Sequence, residues 1–178
     1  ITEQLQHKAY RTFYSYDNNG NLIEALTKDA TGSINRFITL YYYDSSNFLI
    51  EIIQKNWNGA AWINASRSLY SNNYSGLPTQ KLTQYWNVDW VDIEKYLYNY
   101  DGNNNLIETI TQRMESATWV NYLRNEYTYN VNNLLTEYIR QQWLSNQWLY
   151  RNKAEYYYDQ NQELIETKEY SYSNNEWF

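Results

Sequence analysis

An internal repeat constrains this chain more than any other feature. YSYDNNGNLIE runs from Tyr14 to Glu24, and degraded copies follow it along the chain. YYYDSSNFLIE spans Tyr41 to Glu51, YNYDGNNNLIE Tyr98 to Glu108, YTYNVNNLLTE Tyr127 to Glu137 and YYYDQNQELIE Tyr156 to Glu166. A worn sixth copy, YSNNYSGLPTQ, lies between Tyr70 and Gln80. The acid or amide of the turn falls at Asp17, Asp44, Asn73, Asp101, Asn130 and Asp159, in steps of 27, 29, 28, 29 and 29 residues. A period of this size marks a repeat architecture, in which each unit packs mainly against its neighbours. Residues 1–178 therefore read as one array of about six units, with both ends inside a repeat.

Other residues keep step with the turn. Seven residues after it stand Glu24, Glu51, Gln80, Glu108, Glu137 and Glu166, and six before it stand Arg11, Arg67, Lys95, Arg124 and Lys153, with Ile38 the exception. A second punctuation is aromatic: Trp57 with Trp62, Trp86 with Trp90, Met114 with Trp119, Trp143 with Trp148, and Tyr172 with Trp177. The first repeat has Ala30 in this place and lacks both tryptophans, so it is atypical.

Each repeat reads as two strands. WVNYLRNEYTY (Trp119 to Tyr129) and LIETITQRM (Leu106 to Met114) are rich in aromatic, β-branched and threonine residues, which favour extended backbone. Two kinds of turn alternate between them. DNNGN and DGNNN contain residues that tolerate positive φ and whose side chains bond nearby backbone. The aromatic pairs bracket the other kind; a two-residue loop at Gly59-Ala60 or Ser145-Asn146 sets Trp57 opposite Trp62 and Trp143 opposite Trp148. Short connections at both ends make successive strands antiparallel neighbours. The expected fold is all-β: tandem antiparallel hairpins in a continuous meander of about twelve strands, as a sheet, ribbon, coiled shell or tube. Simple alternation puts Trp119, Tyr127 and Tyr129 on one face. It also groups Leu106, Glu108, Ile110, Gln112 and Met114, opposite Val120, Arg124, Thr128, Ile107, Thr109, Thr111 and Arg113; a bulge would shift this parity.

The signature YxYDxxGNLxE resembles the YD-repeat, or RHS-repeat, family. Tyr16, Asp17, Gly20, Asn21 and Leu22 carry the resemblance most fully, followed by Tyr43, Asp44 and Leu49, then Tyr100, Asp101 and Leu106. It implies β-hairpins spiralling into hollow shells, as in bacterial toxins, polymorphic effectors and teneurins. The family's repeats are usually shorter and richer in glycine and arginine. The longer, WNG-containing form looks more like repeats in surface and secreted proteins of Bacteroidetes-type bacteria.

Composition narrows the function. Aromatic residues make 19% of the chain, against the aromatic-poor character of disordered segments. The formal charge of −6 comes from interspersed acids and bases, so no nucleic-acid partner is expected. No segment approaches the ~20 apolar residues of a membrane helix. Cysteine is absent, which excludes disulfides and thiolate metal sites. His7 is the sole histidine and reads as a solvated side chain. The repeated glutamates could suggest the carboxylate pair of a glycosidase. A residue present in every unit is better read as a lattice element, with Arg67, Lys95, Arg124 and Lys153 as its cross-strand partners. DNNGN has oxygen ligands of the kind calcium takes, but Asn73 and Asn130 lose the carboxylate, so no cofactor or metal is expected. The chain reads as a non-enzyme. The leading expectation is an extracellular or cell-surface structural protein of a secreted bacterial type, assembling with copies of itself into a fibre, tube, sheath or stalk. A carbohydrate-binding adhesin that stacks sugars on exposed tyrosine and tryptophan is the alternative, and a shell fragment of an RHS-like toxin the third.

Overall fold

The computed structural model describes residues 9–178; His7 lies outside them. The strands are β1 (Tyr10–Tyr16), β2 (Leu22–Asp29), β3 (Asn35–Tyr43), β4 (Leu49–Trp57), β5 (Trp62–Asn72), β6 (Pro78–Asn87), β7 (Asp89–Tyr100), β8 (Leu106–Glu115), β9 (Thr118–Tyr129), β10 (Leu135–Leu144), β11 (Gln147–Tyr158), β12 (Leu164–Ser173) and β13 (Glu176–Trp177). They form one open antiparallel meander in strict sequence order, with no helix among the described residues. By internal contact the chain divides into two blocks. One holds the residues up to Pro78 with Leu82–Ile93, the other Thr79–Lys81 with Glu94–Phe178.

The turns show why these residues recur. At all six turn positions a side-chain oxygen accepts two backbone amides, two and four residues on; Asp17 Oδ1 takes them from Asn19 and Asn21, and Asn130 Oδ1 from Asn132 and Leu134. Asp44, Asn73, Asp101 and Asp159 do the same. Only an acceptor oxygen is needed, so aspartate and asparagine interchange. The residue three after the turn position has positive φ every time: Gly20, Asn47, Gly76, Asn104, Asn133 and Gln162. This is the three-residue hairpin loop that ends in a left-handed residue. The other kind of turn is a two-residue loop with both φ positive at Ser116-Ala117, Ser145-Asn146 and Asn174-Asn175.

Register breaks recur at the same two places in the repeat. One extra residue sits six after the turn, at Ile23, Ile50, Ile107, Thr136 and Ile165. A second sits eight before it, at Arg36, Ala65, Tyr122 and Arg151. Each bulge moves the following side chains to the opposite face, which corrects simple alternation. Trp119 pairs with Met114, Asn121 with Gln112, and beyond the Tyr122 bulge Arg124 pairs with Ile110. Arg124 and Thr128 thus share the face of Trp119, while Tyr127 and Tyr129 lie on the other. Leu106 pairs with Tyr100 and Glu108 with Asn99, so Leu106 leaves the face of Glu108 and Met114.

The sheet has almost no covered core. Among the described residues the buried hydrophobic side chains are Ile38 and Ala154, and the buried polar ones Thr27, Gln84, Thr111 and Gln141. Each block is thus a single layer, held by its strand ladder and by same-face neighbours.

Candidate functional site

With so few buried side chains among the described residues, the candidate site is the patterned surface itself. One face carries the tryptophans, the turn-proximal glutamates and the basic residues. The aromatic pairs meet edge to face: Trp57–Trp62 at 5.1 Å between centroids, Trp86–Trp90 at 5.0 Å, Trp143–Trp148 at 5.0 Å and Tyr172–Trp177 at 4.9 Å. Met114 pairs with Trp119 in the ladder. Such contacts contribute about 0.5–1.5 kcal/mol each beyond area burial.

The acid and base positions are brought together unevenly. Arg67 lies 3.6 Å from Glu51, and Arg124 lies 2.5 Å from Glu108 and 2.9 Å from Glu126. Lys153 turns instead to Glu155 on its own strand, at 2.6 Å. That hydrogen bond, first among several, holds the Glu155 carboxyl down at about 2. Glu137 is near enough to Lys153 to act only through space. Lys95 sits over the Trp119 ring at 4.6 Å, and Glu166 has Lys168 at 3.8 Å. Near Glu24 the repeat carries the buried Ile38, paired with Leu26, where others place a base, so no ion pair forms there among the described residues. Glutamines extend the rows: Arg67 donates to Gln84, which donates to Asp92 at 2.6 Å, and Gln112 donates to Asn121 at 2.9 Å. The bases also cover the next repeat's tryptophan, Arg67 over Trp90 at 4.6 Å and Lys153 over Trp177 at 5.6 Å.

The opposite face and the turn edge hold a stitch that residue spacing did not expose. The residue just before the turn reaches back one repeat to a backbone carbonyl. Tyr43 donates to Leu22 O at 3.0 Å, Asn72 to Leu49 O at 2.8 Å, Tyr129 to Leu106 O at 3.0 Å and Tyr158 to Leu135 O at 2.8 Å. The recurrent tyrosine before each aspartate was the available signal, but its partner lies 21 to 23 residues away and depends on the bulge between. Adjacent turns are also joined. Asn19 and Asn21 donate to Asn47 Oδ1, and Asn103 and Asn105 donate to Asn133 Oδ1. At the third turn a Cβ on Gly76 would fall 2.5 Å from the Phe48 ring, so a ring resting on glycine replaces the amide pair. On this face Tyr96 donates to Glu94 at 2.5 Å. Burial first, and this bond second, push its hydroxyl up to about 12.

No protein-family model and no curated protein matches the chain. Solved structures do. A protein of unknown function from Bacteroides fragilis NCTC 9343 is 21% identical, with a TM-score of 0.51, over 65% of this chain and 89% of its own. The TcdB2-TccC3 structure is 17% identical with a TM-score of 0.53; the match covers 95% of this chain but 10% of that one. A DUF3836 family protein from Bacteroides vulgatus ATCC 8482 is 28% identical over 46% of this chain and 87% of that one, at a TM-score of 0.39. In fold, this chain is similar to the Bacteroides fragilis protein and to a tenth of TcdB2-TccC3: an all-β, antiparallel, repeat-like sheet.

Proposed function

We propose that this chain is a non-catalytic structural array of the extracellular space or cell surface of a bacterium, a segment of a fibre, tube, sheath or stalk that associates with copies of itself. The observation that carries this reading is the direction of the side-chain bonds. Bonds from Tyr129 to Leu106, from Asn105 to Asn133 and from Arg124 to Glu108 each run to the adjoining repeat, which makes a lattice that propagates along the meander. The resemblance to repeats of surface and secreted Bacteroidetes-type proteins supports the location, and the YD-type turn signature supports kinship with RHS-type hairpin arrays.

The long strands nearest each end of the sheet suggest how copies meet. β1 is exposed along its whole length and presents Tyr10, Phe13, Tyr14 and Tyr16, each at least half exposed. Such an edge is a template for strand addition. β12 is different: Lys168 replaces the aliphatic residue of the other repeats (Leu26, Ile53, Leu82, Ile110, Ile139), and Glu166 and Glu169 flank it. Charge of this kind blunts an edge. Association therefore starts at β1. Size exclusion with light scattering and negative-stain microscopy test this: the wild-type chain forms concentration-dependent oligomers, and Phe13→Lys reduces them at least tenfold. A wild-type monomer at every concentration would sink the proposal.

A further inference from the structure

The repeat stops repeating in one place on the tyrosine face. At the position of Ala154 the other repeats carry Thr12, Thr39, Ser68, Tyr96 and Asn125; at that of Arg140 and Glu169 they carry Thr27, Gln54, Thr83 and Thr111. The register gathers these departures. Tyr138, Ala154 and Glu169 form one row across β10, β11 and β12, and Arg140, Asn152 and Ser171 form the next. Removing bulk at Ala154 opens a depression of about 510 Å³ with Ala154 at its base, 7% exposed, and Tyr138 and Tyr156 along its lining. This lies within the roughly 300–1,000 Å³ of ordinary ligand sites.

Within the lining Tyr138 is held in place and three polar side chains are unengaged, while Lys153 is paired with Glu155 at 2.6 Å. Tyr138 is fixed by its hydroxyl, which donates to Asn125 Oδ1 at 2.8 Å, and by the Tyr127 ring at 5.5 Å. Arg140, Asn152 and Glu169 make no side-chain hydrogen bond or ion pair with another described residue. At two of the corresponding positions the polar group bonds across the ladder: Thr27 with Thr12 at 2.9 Å, and Gln54, which accepts from Ser66 at 2.9 Å. Arg140 and Glu169 sit two strands apart, so the depression has opposite charges on its two sides and little net charge.

We infer that this depression is a saccharide subsite for a neutral pyranose oligosaccharide. Tyrosine faces supply flat apolar area for the C–H side of a sugar ring. Guanidinium, amide and carboxylate are planar groups that form paired hydrogen bonds with neighbouring hydroxyls, the guanidinium donating and the carboxylate accepting. A balanced cation and anion favour an uncharged ligand over a uronic acid. The subsite requires only the folded strands from β9 to the Phe178 end, and its test is separate from self-association.

An immobilised panel of neutral and uronic-acid oligosaccharides, followed by calorimetry with the best neutral one, tests the inference. Ala154→Thr refills the base with the residue other repeats carry, and Glu169→Thr and Arg140→Thr restore the threonine of Thr27 and Thr111. Neutral oligosaccharide binding that falls at least tenfold in Glu169→Thr and Arg140→Thr, with melting unchanged, is the expected result, and Ala154→Thr extends it to the base. No neutral ligand, binding confined to uronic acids, or unchanged affinity in Glu169→Thr and Arg140→Thr would each overturn it.

Discussion

The turn position accepts either aspartate or asparagine because only its Oδ1 is used in common. Where the fourth residue on is asparagine, as at Asn21 and Asn105, aspartate adds a second bond through Oδ2, at 2.9 Å in both cases. Asp101→Asn should therefore lose only that extra bond, whereas Asp101→Ala releases both backbone amides as well. Thermal melting should fall for both, and less than half as far for the asparagine variant; equal falls would refute this account. Asp17 and Asp101 are held below the usual carboxylate range, first by the side-chain bonds from Asn21 and Asn105. Glu155 is held at about 2. Carboxyls lowered in the folded state stabilise it above their unfolded values, and that contribution is lost as pH falls from about 4.5 toward 2. Tyr96 is raised from 10.0 to about 12, so its contribution is complete below about pH 10 and lost as pH rises toward 12. Tyr157 is likewise raised to about 12, so melting measured from pH 2 to 12 should show both limbs, and Tyr96→Phe should weaken the alkaline one without removing it.

At the scale of the strand and hairpin, two devices combine. The aromatic pair sits beside a two-residue loop and fixes the hairpin's register. The two bulges then rotate the rest of each strand, so tryptophans and tyrosines from one strand serve opposite faces. Trp143→Ala removes the edge-to-face contact with Trp148 at 5.0 Å and should lower stability by about 1 kcal/mol. Chemical denaturation measures this directly; a change below about 0.3 kcal/mol would show that the loop alone sets the hairpin. Ile38 illustrates a local exchange of the same kind. It is buried at 8% exposure where other repeats place a base, and its apolar contact replaces an ion pair that a half-exposed site would make weak.

At the scale of the whole chain, stability comes from neighbour-to-neighbour terms rather than one shared core. Opening should therefore be graded. Amide hydrogen exchange should be fast in β1 and in β12–β13, where a strand lacks one described partner over most of its length, and slowest in β4–β5 and β8–β9. Uniform protection across all strands would contradict this picture.

Much of this was legible in the residues alone. The period, the turn chemistry, the two-residue loops beneath the aromatic pairs and the antiparallel order all follow from short-range steric and hydrogen-bonding rules, which act within a few residues. The faces were not legible. A one-residue bulge inverts every side chain beyond it, and nothing local in Tyr122 or Ile107 announces that it will be the extra residue in its ladder. The long stitches depend on that inversion: Tyr129 meets Leu106 O, and Lys153 turns to Glu155 rather than Glu137, because of where three strands lie together. The depression at Ala154 is a juxtaposition of the same origin. Its lining comes from residues spread between Tyr138 and Phe178, and only the register across β10, β11 and β12 makes one surface of them.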